Sequence, residues 1–127
     1  MKKLIAATAL SLLGLVAVAP MAHARTGDVR AAGTCSVASS SKIKLAERDE
    51  GLKIEFEVDE NVIGSTWRVT VTDNGTQVLG RRYTTVAPSG SFTARAVVPN
   101  VAGTDVVVAR ATNLVTGETC RASARIG

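Results

Sequence analysis

Apolar and polar residues alternate one for one along most of the chain beyond residue 41, and a period of two admits little except half-buried β-strands. Leu52, Ile54, Phe56 and Val58 alternate with Lys53, Glu55 and Glu57. Trp67, Val69 and Val71 alternate with Arg68, Thr70 and Thr72. No helical period follows residue 24. Asp73-Asn74-Gly75 supplies the residues that tolerate positive φ in a tight turn, so the strand ending near Thr72 reverses directly into one starting near Thr76. Further strands are predicted at Ser91 to Val98, Asp105 to Asn113 and Cys120 to Ile126, separated by Pro88-Ser89-Gly90, Pro99 to Gly103 and Thr116-Gly117. With Lys42 to Glu47 the count is seven strands, with a turn signal roughly every ten residues. That is the pattern of a single all-β antiparallel sandwich.

The strands are preceded by an address. Lys2 and Lys3 open the chain, Leu4 to Ala19 is uncharged, and Ala22-His23-Ala24 places small residues before Arg25, so residues 1–24 read as a cleaved secretory signal peptide. The apolar run of 16 residues is interrupted by Gly14 and stopped by Pro20, short of the roughly 20 a membrane span needs. No later stretch is long enough to span, so the mature chain is expected to be secreted, with possible retention at the cell envelope by non-covalent contacts. Residues 25–34 are polar, small and aperiodic, and read as a flexible N-terminal arm ahead of a domain at 35–127.

Export decides how the cysteines are read. Cys35 and Cys120 are the only two, the compartment is oxidising, and a disulfide that pins the first segment to the last is expected. Closing so long a loop is worth on the order of 4 kcal/mol on a chain-entropy account.

The same residues close several chemistries. The chain's one His, His23, leaves with the signal, which removes Ser-His-acid and Cys-His machinery and imidazole metal ligands, and both thiols are committed to the bridge. Glu55, Glu57 and Asp59 lie two apart on one strand and face solvent together, unlike a glycosidase pair across a cleft. Asp49-Glu50-Gly51 is a turn, too short for a calcium loop, and Asn74-Gly75-Thr76 is turn chemistry that matches a glycosylation sequon by letters alone. No enzyme activity, cofactor or metal is expected. Of the 15 basic residues 13 remain in the mature chain against 11 acidic, too mild a balance to make nucleic acid the expected partner.

The phrases Trp67-Arg68-Val69-Thr70-Val71, Ala87-Pro88-Ser89-Gly90-Ser91-Phe92 and Ala109-Arg110-Ala111-Thr112-Asn113 resemble those of short exported proteins of high-GC bacteria that consist of one immunoglobulin-like or fibronectin-III-like sandwich. The likeness spans residues 35–127 and implies an architecture, with no catalytic motif to carry over. It departs from antibody-type domains in its cysteines, which stand at the start and in the last strand. Trp67 falls on the third strand, where such sandwiches bury a Trp.

In that architecture the third, fourth, sixth and seventh strands share a sheet. Arg68, Arg81 or Arg82, Arg110, Arg121 and Arg125 would then converge on its outer face as an anion-binding surface for carboxylate or phosphate groups of an envelope polymer. Seven acidic residues crowd Glu47 to Glu60, whereas every basic residue from Trp67 onward is Arg. A second candidate is a loop contact patch of Val62, Ile63, Leu114 and Val115 for a protein partner; the alternative is that these four fold inward and plug the core. The expected function is thus non-enzymatic binding or assembly. Its alternative is inhibition of a hydrolase through a loop such as Ala87-Pro88-Ser89-Gly90.

If the leader reading is right, the protein expressed in an exporting host is recovered with Arg25 as its first residue by N-terminal sequencing; a product retaining residue 24 or beginning at Pro20 contradicts it.

Overall fold

The computed structural model describes residues 27–127, so the proposed leader lies outside the described residues. Nine strands follow one another: β1 (Val29–Ala32), β2 (Thr34–Cys35), β3 (Ser40–Arg48), β4 (Gly51–Asp59), β5 (Thr66–Asp73), β6 (Thr76–Thr84), β7 (Ser91–Val98), β8 (Asp105–Asn113) and β9 (Thr119–Ile126). They form a four-stranded sheet in the order β1-β3-β4-β7 and a five-stranded sheet in the order β2-β9-β8-β5-β6, all pairings antiparallel. Among the described residues no helix is long and apolar enough to cross a membrane.

The alternation read from the sequence is the alternation that packs. Ile43 and Leu45 from β3, Ile54, Phe56 and Val58 from β4, and Phe92 and Ala94 from β7 line one inner face. Trp67, Val69 and Val71 from β5, with Val107, Ala109, Ala111, Ala122 and Ile126 from β8 and β9, line the other. All are buried. The four-stranded sheet supplies mostly large side chains and β8 and β9 mostly small ones, a combination that suits two interdigitating pleated faces.

The seven expected strands are present as β3 to β9, and two short ones precede them. The flexible arm expected at 25–34 is corrected over its described part: β1 pairs with β3 from Val29↔Leu45 to Ala32↔Lys42, and β2 pairs with β9. Only Val29 and Ala31 mark β1 as apolar, two residues being too few for a visible period. Between them the chain changes sheets at Gly33. A Cβ there would run into Ser41 Oγ, the Arg121 carbonyl and the Ala122 side chain, so only glycine lets the backbone cross this closely. Its N–H donates to the Ser41 carbonyl at 2.8 Å.

The staple sits where the first strand of the five-stranded sheet meets the last. Cys35 and Cys120 are directly opposite in the β2–β9 ladder and are joined by a disulfide spanning 85 residues of sequence. The Asn74-Gly75 turn has positive φ at both residues (50° and 83°), as a two-residue hairpin of this hand requires. Asn74 also clamps the neighbouring strand: its Oδ1 accepts from Val106 N–H at 2.9 Å and its Nδ2 donates to the Thr104 carbonyl at 3.1 Å.

Near that turn the core ends on two carboxyl groups. Asp73 and Asp105 occupy inward positions of adjacent strands, and Asp105 is 1% exposed with neither carboxyl oxygen hydrogen-bonded to a donor. Burial first, and then the neighbouring Asp73 carboxyl, push the Asp105 carboxyl up to about 6. The folded form therefore holds this proton more tightly than the unfolded chain. The resulting stability is complete below the ordinary carboxyl value of 3.8 and is lost as pH rises through about 6. Asp28 behaves oppositely: the Arg48 guanidinium, bonded to both its oxygens at 3.0 and 3.2 Å, holds its carboxyl below the ordinary value. Its contribution is lost only at lower pH. The melting temperature should therefore fall between pH 4 and pH 7, and Asp105→Asn should flatten that fall and raise the midpoint at pH 7 by about 5 °C, as followed by circular dichroism.

Candidate functional site

Two surfaces carry the candidate residues, and the register of the five-stranded sheet decides membership of the first. Trp67, Val69 and Val71 point inward on β5, so Arg68, Thr70 and Thr72 point outward. Arg68 stands opposite Arg82 on β6, and Arg110 on β8 stands opposite Arg121 on β9. Arg110 faces Thr70 and Arg68 faces Thr112, so the two pairs are offset by one pleat. Arg125, opposite Val106, extends the row toward the far end of β9. Arg82, Arg68, Arg110, Arg121 and Arg125 thus form a diagonal band over four strands spaced about 5 Å apart. All five are exposed.

Arg81 leaves this set. Counting back from the Asn74-Gly75 turn in ideal register would set Arg81 opposite Arg68, but β6 carries one extra residue at the bulge beside Val71 and Thr72. The bulge advances Arg82 to the outer face and turns Arg81 to the inner side of the sheet edge, opposite Val69. There its guanidinium lies 5.0 Å from the Tyr83 ring centre, and Tyr83 stacks on Phe92 at 5.3 Å.

The outward positions of β2, β5, β6, β8 and β9 include no carboxylate. Beside the arginines stand Thr34, Thr70, Thr72, Thr84, Thr112, Thr119 and Ser123. Among the described residues none of the five arginines makes an ion pair. Between β2, β8 and β9 a shallow depression of about 340 Å³ is bordered by Arg110, Arg121, Thr34, Thr112 and Thr119, so two arginines and three threonines border one volume. Those threonines are not evident from the sequence; only the cross-strand register brings them beside the arginines.

The four-stranded sheet treats its outer charges differently. Lys42, Lys44, Lys53 and Arg95 each lie 3.5 to 3.7 Å from a carboxylate: Glu57, Asp28, Glu55 and Glu55 in turn. Glu55 and Glu57 are therefore ion-paired members of a sheet face. They border a depression of about 470 Å³ together with Arg30, Lys42, Lys44 and Arg95.

The second surface is one end of the sandwich. The loops 36–39, 60–65, 85–90 and 114–118 all emerge there, because β2, β4, β6 and β8 end, and β3, β5, β7 and β9 begin, at the same level of their ladders. Val62 (52% exposed), Ile63 (60%), Leu114 (42%) and Val115 (86%) point into solvent. The plug alternative is thereby corrected. The end is sealed by polar groups instead.

Glu60 leads the chain from the four-stranded to the five-stranded sheet, and its carboxylate accepts from Trp67 Nε1–H and from Asn113 Nδ2–H, both at 3.0 Å. Trp67 and Asn113 are buried and directly opposite in the β5–β8 ladder. Asn113 Oδ1 in turn accepts from the N–H groups of Val115 and Thr116. Glu118, 6% exposed, accepts from the N–H groups of Val37 and Ser39 at 3.0 Å and from the Ser39 hydroxyl. Thr85 Oγ1 donates to the Val62 carbonyl and accepts from Ser65 N–H. Each acid stands in a stretch of loop whose sequence reads as solvated. The residue that signals Glu60 is Trp67, whose buried N–H needs an acceptor.

The segment Ala87 to Gly90 lies at this end as a closed turn, with Gly90 N–H donating to the Val86 carbonyl at 2.9 Å and Val86 bridged to Ser91. Among the described residues no three of His, Cys, Asp and Glu gather where a metal ion would be held. No family model matches the chain, and no curated protein is detectably similar to it.

Replacing Glu60 by Ala strands two buried donors and should cost about 3 kcal/mol, whereas Glu60→Gln keeps one acceptor and should cost about 1 kcal/mol. Urea unfolding followed by the fluorescence of Trp67, the only tryptophan, gives both values.

Proposed function

We propose that the protein is an exported, disulfide-stapled binding domain of the bacterial envelope or extracellular space, without catalytic turnover, whose outer arginine face holds an anionic polymer. The observation that carries this reading is the unneutralised band Arg82, Arg68, Arg110, Arg121 and Arg125. Like charges directly across a β-ladder repel, and the Arg68–Arg82 and Arg110–Arg121 pairs do so with no carboxylate on the same face. An anion placed over them removes that repulsion and accepts paired N–H bonds from each planar guanidinium. The depression beside Arg110 and Arg121, with hydroxyls of Thr34, Thr112 and Thr119, has the size of one phosphate or carboxylate group and the sugar or amide that bears it. Repetition of the pairs along a diagonal suits a polymer better than a single small anion.

The immunoglobulin-like or fibronectin-III-like assignment belongs to the same proposal. It is supported by the division of β3 to β9 into β3, β4, β7 and β9, β8, β5, β6, with the chain crossing between sheets after β4, β6 and β7. Secretion is supported by the disulfide and by the leader read from the sequence. Hydrolase inhibition has less support, since Val86 to Gly90 closes on itself as a turn and offers no extended strand to a protease cleft.

The purified mature domain should be retained on polyglutamate and polyphosphate resins and sediment with envelopes at low salt, and be released at high salt, because exposed attraction is screened within roughly 8 Å at physiological ionic strength. Arg68→Glu with Arg110→Glu should weaken retention on the order of tenfold while leaving the melting temperature unchanged. Retention that ignores both the salt and the reversals overturns the reading.

A further inference from the structure

We infer that the loop end of the sandwich is a self-association surface, through which two copies of this chain meet end to end. Independently of the arginine face, six of the molecule's exposed large aliphatic side chains gather at this end: Val37, Val62, Ile63, Val86, Leu114 and Val115, at 42% to 86% exposure. They come from four separate loops, so no single sequence motif announces them. A cluster of exposed aliphatic side chains at one end of a soluble domain is the kind of surface that marks an interaction site.

The loops are held in place before any partner arrives. Val37 is fixed through its N–H to Glu118, Val62 through its carbonyl to Thr85, Val115 through its N–H to Asn113, and Leu114 through its N–H to the Thr66 carbonyl at 3.0 Å. Aliphatic tips on a pre-ordered frame lose little conformational freedom on docking.

Charge and composition choose the occupant. The only ionisable residues in the four loops are Glu60 and Glu118; the Glu60 carboxylate is held by the buried Trp67 and Asn113, and the Glu118 carboxylate, itself buried, by the Val37 and Ser39 groups of the β2–β3 loop. The tips therefore carry no charge. They also carry no Trp, Tyr or Arg, the usual hot-spot residues of interfaces, and no basic or aromatic residue of the kind that holds a segment at a lipid surface. An uncharged aliphatic patch is complementary to itself. It matches the charge-depleted core of homodimer interfaces, whereas the arginine face, with cations alone, repels a copy of itself. Six aliphatic tips without an aromatic anchor make a small, weak interface, so the dimer is expected in the micromolar range.

The test is sedimentation velocity of the mature protein over a thousandfold range of concentration. The expected result is a monomer–dimer equilibrium that persists or tightens at high salt, the reverse of polymer binding by the arginines. Ile63→Asp with Val115→Asp should weaken it at least tenfold, and the milder Val115→Ser should weaken it partially; unchanged melting temperatures establish that each variant is folded. Val101→Asp at the opposite end, and the double reversal of Arg68 and Arg110, should leave the equilibrium unchanged. A protein monomeric at every concentration overturns the inference, as does a dimer indifferent to Ile63→Asp with Val115→Asp. So does a monomer that floats with phosphatidylcholine vesicles, which would give the patch to lipid.

Discussion

A buried indole must find an acceptor for its N–H, and the way Trp67 meets that requirement organises one whole end of this domain. Glu60 is the first residue after β4, at the point where the chain leaves one sheet for the other. By accepting from Trp67 and Asn113 at once, its carboxylate fixes the crossing to both strands it must pass, and it occupies a position that an apolar side chain would otherwise have to plug. Asn113 passes the constraint on to the β8–β9 turn through Val115 and Thr116. Glu118 repeats the device for the β2–β3 loop. With the end sealed by inward-turned carboxylates, the aliphatic side chains of the loops are not needed for the core.

The same allocation of charge separates the two sheets. Three carboxylates of the acidic stretch are engaged locally, Glu55 and Glu57 with cations of their own sheet and Glu60 with the core, and none of the outward positions beside the arginines of β5, β6, β8 and β9 carries one. Exposed ion pairs contribute little stability, which makes their presence on one face less informative than their absence on the other. A face that keeps two cross-strand arginine pairs without a counter-charge carries a small standing cost in the free protein. Such a cost is relieved by a ligand of opposite sign, and it is the physical ground for reading the face as a binding surface.

Much of this was legible in the sequence because sheet geometry is periodic. Alternation identifies β4, β5, β8 and β9 and their inner faces, and Asn74-Gly75 identifies the hairpin between β5 and β6. What escaped is what depends on register and on partners distant in sequence. One extra residue at the β6 bulge decides between Arg81 and Arg82, and nothing local signals a bulge there. β1 and β2 are too short to show a period; their pairing rests on the Gly33 crossing and the disulfide. Thr34, Thr112 and Thr119 are ordinary strand residues until the ladder sets them beside Arg110 and Arg121. Val37 and Val86, single apolar residues among small and polar ones, join a patch only because four loops share an end.

The two surfaces also act on different axes, and that has a consequence for how they would combine. The arginine band lies on a sheet face, whereas the loop tips lie at the end of the strands, so occupation of one does not cover the other. Two copies joined through the loop end carry two arginine bands on one rigid particle. A polymer long enough to reach both would bind the second without a further loss of translational freedom, so that weak contacts at each band add up to firm retention. The association between copies, being apolar, strengthens under the salt conditions that loosen polymer contacts. A domain this small, with modest net charge, gains hold on an extended anionic partner by repetition of a shallow surface more readily than by deepening it.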